Sequence, residues 1–199
     1  MAKAAEKNLQ QNSETALVKS AQAGDQKALQ ELVKIYGETI YGFSFKVCGN
    51  SDDAEDTRQE AYLNIFKSLN SFNFKSNFST WIYRIVSNSC MMKFRKEKRR
   101  RWESFEQLND LDENVSDSFP KSMDTPVADV LSDELREQMN QAILDLPPIY
   151  RLTFILKDLE GLKIEEVAES LDISVTAAKA RLRRARLFMR TRLKPYMET

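Results

Sequence analysis

Apolar residues recur at helical spacing along most of this 199-residue chain. From residue 78 onward they follow the spacing i, i+3, i+4, i+7 of a helix with one buried side, at Phe78, Trp81, Ile82 and Ile85. Similar spacing predicts helix from about Ser13 to Cys48, with a bend near Gly24 and a C-terminal cap at Gly49. Only five glycines and five prolines interrupt these patterns, and 30% of the residues are charged. We therefore predict an all-α protein.

Two helices in the first half of the chain have core positions that can be predicted in the same way. The helix that ends at Cys48 is expected to bury Leu29, Leu32, Val33, Tyr36 and Ile40. The next helix begins at Ser51 or Asp52, because acidic residues suit a first turn, and it is expected to bury Tyr62, Ile65, Phe66 and Leu69. Its opposite face then presents Asp56, Gln59, Glu60, Leu63 and Lys67. Such a mixed face is either simply solvated or a dock for the basic helix of a partner.

Aromatic and basic residues are concentrated between Phe72 and Arg101. Residues 93–101 contain seven lysines and arginines against one glutamate, which suits the neutralisation of phosphates around unstacked bases. Periodicity places Trp81 in the core and puts a second stripe on the far side of the same helix, at Arg84, Asn88, Met91 and Arg95. Before this helix, residues 73–77 form a small polar loop with Phe72 and Phe74 at its start. The loop is suited to gripping a flipped base, or is an ordinary connection between helices.

The formal net charge is zero, but the charges are unevenly distributed. Residues 1–102 carry 17 basic and 11 acidic residues, 103–132 carry 1 and 8, and 133–199 carry 12 and 11. Residues 103–131 also lose the helical spacing and gain serine, aspartate and proline, which is typical of a flexible acidic linker. We therefore predict a disordered tail over 1–12, a first domain over 13–102, this linker, and a second domain over 132–199.

The second domain is predicted to contain four helices, the last two forming a helix-turn-helix. Ser132 caps the first helix, and Pro147 with Pro148 marks the start of the second. Residues 162–171 form the third helix, and the long last helix begins at Val175.

The last helix has an apolar side and a basic side. The apolar positions expected to turn inward are Val175, Ala178, Leu182, Ala185 and Met189. Between Lys179 and Lys194 there are eight basic residues and no acidic one. Such a run is usually only a solvated face, but on the second helix of a helix-turn-helix it favours contact with the major groove of duplex DNA. The predicted base or phosphate contacts on the side opposite the apolar stripe are Thr176, Lys179, Ala180, Arg183 and Arg184.

The inventory of reactive side chains argues against an enzyme or a metal site. The chain has no histidine, and its two cysteines, Cys48 and Cys90, lie far apart without a CxxC pattern, so zinc sites and histidine-dependent nucleophiles lack partners. We expect reduced thiols, no cofactor and no small-molecule substrate. The first 14 residues lack an apolar signal core, and no segment approaches the length of a membrane span. A cytoplasmic protein that is not inserted in a membrane is therefore expected.

Three segments in order resemble one known family. They are DAEDTRQEAYLNIF, FNFKSNFSTWIYRIVSN, and the stretch from DLPPIYRLTFILKDLEG to ARLRRARLFMR. The first two are similar to region two of the bacterial sigma-70 family, in its extracytoplasmic-function (ECF) group, and the third is similar to region four. A helix-turn-helix alone is a weak signal, but the three together are specific.

The resemblance implies roles for individual residues. The helix with the D-x-x-Q-E pattern docks on the clamp helices of the beta-prime subunit of core RNA polymerase, which assigns Asp56, Gln59 and Glu60, with Leu63 on the same face, to polymerase binding. The loop of region two reads one flipped base of the melted minus-ten element. The residues assigned to that strand are Phe72, Asn73, Lys75, Ser76, Asn77 and Asn88, and the polar stripe adds Arg84 and Arg95. Region four implies minus-35 duplex binding and contact with the polymerase beta flap.

Two residues depart from the family pattern, and one departs from the common helix-turn-helix pattern. Arg58 stands where an apolar residue usually precedes the Q-E pair, and Phe74 stands where many members have glycine. Asp172 occupies the turn of the helix-turn-helix where glycine is frequent, but aspartate tolerates the left-handed backbone better than most residues.

The expected function is therefore that of an alternative sigma factor, which recruits core polymerase, binds the minus-35 duplex and helps to melt the minus-ten DNA. By resemblance, an anti-sigma factor is an expected partner, and the acidic linker is expected in the product channel of the polymerase. Two alternatives remain: a duplex-binding regulator that works without polymerase, and an interaction module that binds polymerase as a decoy.

Overall fold

The computed structural model describes residues 2–97 and 133–197, with side chains described for residues 12–94 and 134–196. All regular structure in these residues is helical, as predicted. The linker predicted over 103–131 lies outside the described residues. The α-helices are α1 (Ala2–Gln22), α2 (Gln26–Cys48), α3 (Ser51–Ser68), α4 (Phe78–Glu97), α5 (Asp133–Asp145), α6 (Pro148–Phe154), α7 (Ile164–Ser170) and α8 (Val175–Met197).

Capping side chains begin two of the helices, and a glycine ends one of them, near the predicted positions. Asp25 caps α2, since its Oδ1 accepts hydrogen bonds from the backbone N–H of Lys27 and Ala28 at 2.9 and 3.3 Å. Gly49 ends α2 with φ 83°, and its N–H donates to the carbonyl of Phe45. The cap of α3 is Asn50, whose Oδ1 accepts from Asp53 N at 2.8 Å. The acids in the first turn of α3 therefore assist a cap that asparagine supplies.

The first helix begins earlier than the sequence predicts. The backbone is helical from Ala2, within the stretch for which we expected a disordered tail over 1–12. The physical reason is composition, since this stretch is rich in alanine, lysine and glutamine, which have high helix propensity.

In the first domain, α3 is rotated relative to the predicted orientation. Its buried residues are Ala54, Thr57 and Ala61, with Leu69 buried in the short 3₁₀ turn that follows. Small residues on this side allow α3 to pack closely against α2. Phe66, predicted to be buried, is 66% exposed as a result, and Val33 of α2 is also exposed. Both assignments to the core were wrong.

The second domain has the predicted helix-turn-helix. Asp172 adopts φ 54° in the turn between α7 and α8, as expected for that position, and Ser174 Oγ accepts a hydrogen bond from Ala177 N at the start of α8. A π-helical turn, Ile155–Leu159, continues α6 toward Gly161. The predicted inward stripe of α8 is buried at Ala178, Leu182, Ala185 and Met189, whereas Val175 at the first turn is exposed.

The two domains pack against each other around Arg151. This side chain is only 2% exposed, and its Nη1 donates to the carbonyl of Val47 at 2.6 Å. Nε and Nη2 donate to the carbonyl of Leu146 at 3.2 and 3.0 Å, and Nη2 also donates to that of Leu144. One guanidinium thus satisfies carbonyls at the C-terminal ends of α2 and α5, where helices leave such groups unpaired and favour a cation. Buried residues of both domains form one continuous core.

Candidate polymerase-binding and nucleic-acid-binding surfaces

The outward face of α3 combines polar and apolar side chains. Asp56, Gln59 and Leu63 are exposed, as predicted, and Glu60 is half-buried. Leu63 is 60% exposed, and Phe66 lies beside it on the same helical face. Sequence reasoning missed Phe66 because its helical spacing with Tyr62, Ile65 and Leu69 was taken as the buried stripe. Acidic and amide groups around two exposed apolar side chains form a surface with the composition of a docking site.

Arg58 is held within the first domain. Its Nη2 lies 2.7 Å from Glu55 Oε1, and its guanidinium lies 5.5 Å from the ring centroid of Tyr41 on α2. The cation therefore pairs with its own helix and stacks on an aromatic face. Glu55 and the Tyr41 ring therefore accommodate Arg58 at a position where the family usually has an apolar residue.

Phe72, which the resemblance assigns to the melted strand, lies in the core. It is 5% exposed, and its ring centroid lies 4.8 to 5.4 Å from those of Phe74, Phe78 and Trp81. Gln22 of α1 fixes the start of the loop by donating from Nε2 to the carbonyl of Phe72 at 2.8 Å. Removing Phe72 would disturb the fold as well as any site above it.

Phe74 is the aromatic side chain that the loop exposes. Its φ is 62°, in the left-handed region where glycine is unstrained, which agrees with its place at a frequent glycine position. The side chain is 37% exposed, and Lys19 Nζ lies 5.5 Å from its ring centroid. Asn73 shapes the same turn, since its Oδ1 accepts from Lys75 N at 3.2 Å. The loop therefore presents an aromatic ring beside a cation, two residues after Phe72, the aromatic residue predicted to touch DNA.

A groove open to solvent lies between α1 and this loop. Its cavity volume is about 90 Å³, and it is lined by Glu14, Thr15, Val18, Phe72, Phe74, Ser76, Asn77 and Phe78. Ser76 is half-buried, while Asn73, Lys75 and Asn77 are exposed. Burial raises the pKa of the Glu14 carboxyl above its usual value. Three of the residues predicted to touch a melted strand, Phe72, Ser76 and Asn77, thus line a concave surface that α1 completes.

The polar stripe of α4 continues from this groove. Arg84 and Asn88 are exposed, whereas Met91 is half-buried against the core. Arg84 Nη2 lies 3.7 Å from Asp172 Oδ1, and Asn77 Nδ2 donates to Glu166 Oε1 at 2.8 Å, so two of the predicted DNA contacts meet acidic residues of the second domain. The side chain of Arg95 lies outside the described residues.

The predicted duplex-reading face of α8 is exposed along its length. Thr176, Lys179, Ala180, Arg183 and Arg184 are all exposed, opposite the buried stripe. Arg184 Nη1 donates to Tyr150 OH at 3.3 Å. In contrast, Arg186 is engaged with Asp158 by two hydrogen bonds of 2.9 and 2.7 Å, so this arginine holds α8 to the π-helical turn.

The described part of the chain contains no cluster of residues suited to a metal ion and no helix long and apolar enough to cross a membrane. Cys48 and Cys90 are free thiols. A hydrogen bond with Cys90 is the main cause that lowers the pKa of Cys48 to about 7, and Cys48 Sγ lies 3.6 Å from Thr57 Oγ1.

Comparisons with known proteins agree with this architecture. The family model for sigma-70 region 2 matches residues 32–100, and that for sigma-70 region 4 matches residues 136–189. Among solved structures, CnrH in complex with the cytosolic domain of CnrY has a TM-score of 0.62 at 22% identity, covering 90% of this chain and 96% of that one. The sigma factor RpoE bound to the anti-sigma factor NepR from Bartonella quintana has a TM-score of 0.61 at 20% identity, covering 84% and 98%. These two likenesses concern the fold.

Sequence relatives carry the comparison further. The chain is 33% identical to the ECF RNA polymerase sigma factor SigW of Bacillus subtilis, over 89% of this chain and 95% of the relative. It is 30% identical to the ECF RNA polymerase sigma-E factor of Haemophilus influenzae, over 94% of this chain and 99% of the relative. With both regions matched in order and these relatives aligned over nearly their whole length, the chain belongs to the sigma-70 family, as an ECF RNA polymerase sigma factor.

Proposed function

We propose that this ECF sigma factor directs core RNA polymerase to promoters through three separate surfaces. The outward face of α3 binds polymerase, α8 binds the minus-35 duplex, and the loop with α4 binds the melted minus-ten strand. The observation that carries the proposal is that α8 follows a helix-turn-helix turn and exposes all five predicted contacts while its other side is buried. The relatives named as RNA polymerase sigma factors support it.

At the minus-35 element, α8 enters the major groove. Lys179, Arg183 and Arg184 lie on its exposed side, where arginine can pair with guanine edges or with phosphates. Thr176 lies in the first turn and is placed to anchor a phosphate there. The beta flap of the polymerase is expected to contact the same domain.

At the minus-ten element, melting follows from a preference for separated strands. Unstacking a base costs a few kcal/mol, and stacking on an aromatic side chain returns about 1–3 kcal/mol. We assign the stacking ring to Phe74 in place of Phe72, because Phe74 is exposed at the mouth of the groove. Asn73, Lys75, Ser76, Asn77 and Asn88 remain the proposed polar contacts.

The protein itself carries out no covalent chemistry in this proposal and works in the cytoplasm, where core polymerase is found. An anti-sigma factor is a proposed partner, because solved structures of the same fold were obtained with the anti-sigma factor NepR and with the cytosolic domain of CnrY.

The test is run-off transcription with purified core polymerase on genomic fragments. Promoter-dependent transcripts are expected with the full chain and absent without it, which separates this function from that of a decoy. Asn88→Ala is expected to reduce open-complex formation at least fivefold while core binding in a pull-down is unchanged. Asn140→Ala, also an exposed asparagine within a helix, is the matched control. Equal loss of core binding by Asn88→Ala would contradict the proposed division of labour.

A further inference from the structure

The fold brings the two cysteines of the chain together from different helices. Cys48 is the last residue of α2, and Cys90 lies in the second half of α4. A side-chain hydrogen bond joins the two thiols, and Cys48 Sγ also lies 3.6 Å from Thr57 Oγ1 of α3. The sulfurs of a disulfide lie about 2.05 Å apart, and hydrogen-bonded thiols can reach that distance by rotation of their side chains.

The two thiols differ in their access to solvent. Cys48 is half-buried at the edge of the core, whereas Cys90 lies inside it and is 0% exposed. A small oxidant in solution therefore meets Cys48 first. The hydrogen bond to Cys48, followed by burial, raises the pKa of the Cys90 thiol, and a buried protonated thiol is unreactive by itself. These positions suit Cys48 to react first and Cys90 to react second.

The charged groups that act on the Cys48 thiol are Lys93 of α4 and Asp53 of α3. Lys93 Nζ donates to the carbonyl of Asp53 at 3.1 Å and lies 3.4 Å from Asp56 Oδ2, so this cation is held at the start of α3. The hydrogen bond with Cys90 lowers the pKa of Cys48 most, and the charge of Lys93 lowers it further, against burial and the charge of Asp53. A partly exposed thiol with a lowered pKa is typical of reactive cysteines.

We propose that Cys48 and Cys90 form a modification site at which a hydroperoxide converts the two thiols into a disulfide bond between α2 and α4. The Cys48 thiolate attacks one peroxide oxygen: an S–O bond forms, the O–O bond breaks, and the leaving oxygen takes a proton to become water or an alcohol. The Cys90 sulfur then attacks the sulfenic acid of Cys48: the S–S bond forms, the S–O bond breaks, and the hydroxyl leaves as water with the Cys90 proton. The peroxide thereby takes up the two electrons that the thiols lose.

The bond ties α4, the helix that carries Asn88, to the C-terminal end of α2. It is reversible, because a dithiol reduces it to two thiols and is itself oxidised to a disulfide. In reducing compartments such bonds are typically transient and redox-sensing. The oxidation state of the pair therefore controls how firmly α4 is held, and this inference does not rest on the proposed function.

The measurement is peptide mapping by mass spectrometry of the folded full chain after treatment with hydrogen peroxide at pH 7, with the remaining thiols blocked by iodoacetamide. Trypsin should release residues 47–58 linked to residues 85–93, and dithiothreitol should separate the two peptides again. In Cys90→Ser the second step cannot occur, so dimedone should label Cys48 as a sulfenic acid. In Cys48→Ser the buried Cys90 should stay unlabelled.

The rate of thiol loss tests the environment of Cys48. The wild-type chain should lose its free thiols at least fivefold faster than glutathione, because a larger fraction of Cys48 is ionised. Lys93→Gln should slow this loss at least twofold, whereas Lys34→Gln, which removes the same charge from an exposed position of α2, should leave the rate unchanged. A link that forms only between two chains, or only after unfolding in urea, would overturn the inference. Unlinked peptides from the folded chain, under conditions that oxidise glutathione completely, would overturn it as well.

Discussion

Phe74 combines backbone strain with an exposed ring at one position. A left-handed φ costs a residue with a Cβ about 1–2 kcal/mol, and the ring recovers part of this cost through its contacts with Phe72 and Lys19. A strained residue at a concave surface is typical of a functional site. Glu14, across the same groove, also has an unfavourable environment, because its carboxyl is partly desolvated.

Replacing Phe74 with glycine should weaken strand binding while leaving the stability of the fold nearly unchanged. Glycine removes the strain but also the ring contacts, so we expect an unfolding free energy within about 1 kcal/mol of wild type. Loss of a stacking ring should reduce open-complex formation fivefold or more. Urea unfolding and permanganate footprinting of promoter complexes measure the two effects. Phe74→Tyr keeps the ring and serves as control. Full promoter opening by the glycine variant would show that Phe74 does not take part in strand binding.

Glu14→Gln should stabilise the protein at neutral pH. Burial raises the pKa of Glu14 in the folded state above its unfolded value, so the folded state binds the proton more tightly and loses stability as pH rises through that range. Glutamine avoids this loss, and a gain of up to about 0.5 kcal/mol is expected at pH 7. The gain should shrink at pH 4, where the carboxyl is largely protonated in both states. Urea unfolding at both pH values, with exposed Glu31→Gln as control, tests the sign.

At the scale of elements, α3 has two sides with different composition. Its buried side uses Ala54, Thr57 and Ala61 to approach α2, and its other side keeps Leu63 and Phe66 in solvent. Exposed apolar side chains contribute little to folding, but they release water when a partner covers them. The helix therefore leaves apolar surface in solvent on the face that we propose for polymerase docking.

Leu63→Ser combined with Phe66→Ser should weaken binding to core polymerase without unfolding the protein. Centrally placed apolar residues of an interface contribute about 2 kcal/mol or more, which corresponds to roughly thirtyfold in affinity. The unfolding free energy is expected to change by less than about 0.5 kcal/mol for such exposed positions. Core pull-down titration and urea unfolding measure the two effects. Met92→Ser, at another exposed apolar position, should leave binding to core polymerase unchanged. If the double variant binds as tightly as wild type, this face of α3 is not the polymerase-binding surface.

At the scale of the whole molecule, Arg151 links the two domains. It caps the C-terminal ends of α2 and α5 with one buried cation, and hydrogen bonds to charged groups contribute about 1.5–3 kcal/mol each. Folding of the first domain is thereby tied to that of the second.

Arg151→Met should reduce the unfolding free energy by about 2–4 kcal/mol, because it leaves buried carbonyls without donors. It should also turn a single thermal transition into two, since the domains no longer unfold together. Differential scanning calorimetry measures both effects, and Arg136→Met on the exposed side of α5 is the control. A single transition at the wild-type temperature would show that Arg151 does not couple the unfolding of the two domains.

The sequence by itself determined the helices, the helix-turn-helix and the exposed basic side of α8. These features depend on local physics: the 3.6-residue period, the caps at Asp25 and Gly49, and the left-handed turn at Asp172. Family resemblance added the roles of the three surfaces.

Only the tertiary structure decided which side of each helix meets a neighbour. It turned Phe66 outward, buried Phe72 and left Phe74 as the exposed ring. It also placed Glu166 on Asn77, 89 positions earlier in the chain. No local pattern encodes such pairings. They depend on how closely small residues let two helices approach, and on which distant carboxylates then meet the basic and amide side chains of the other domain.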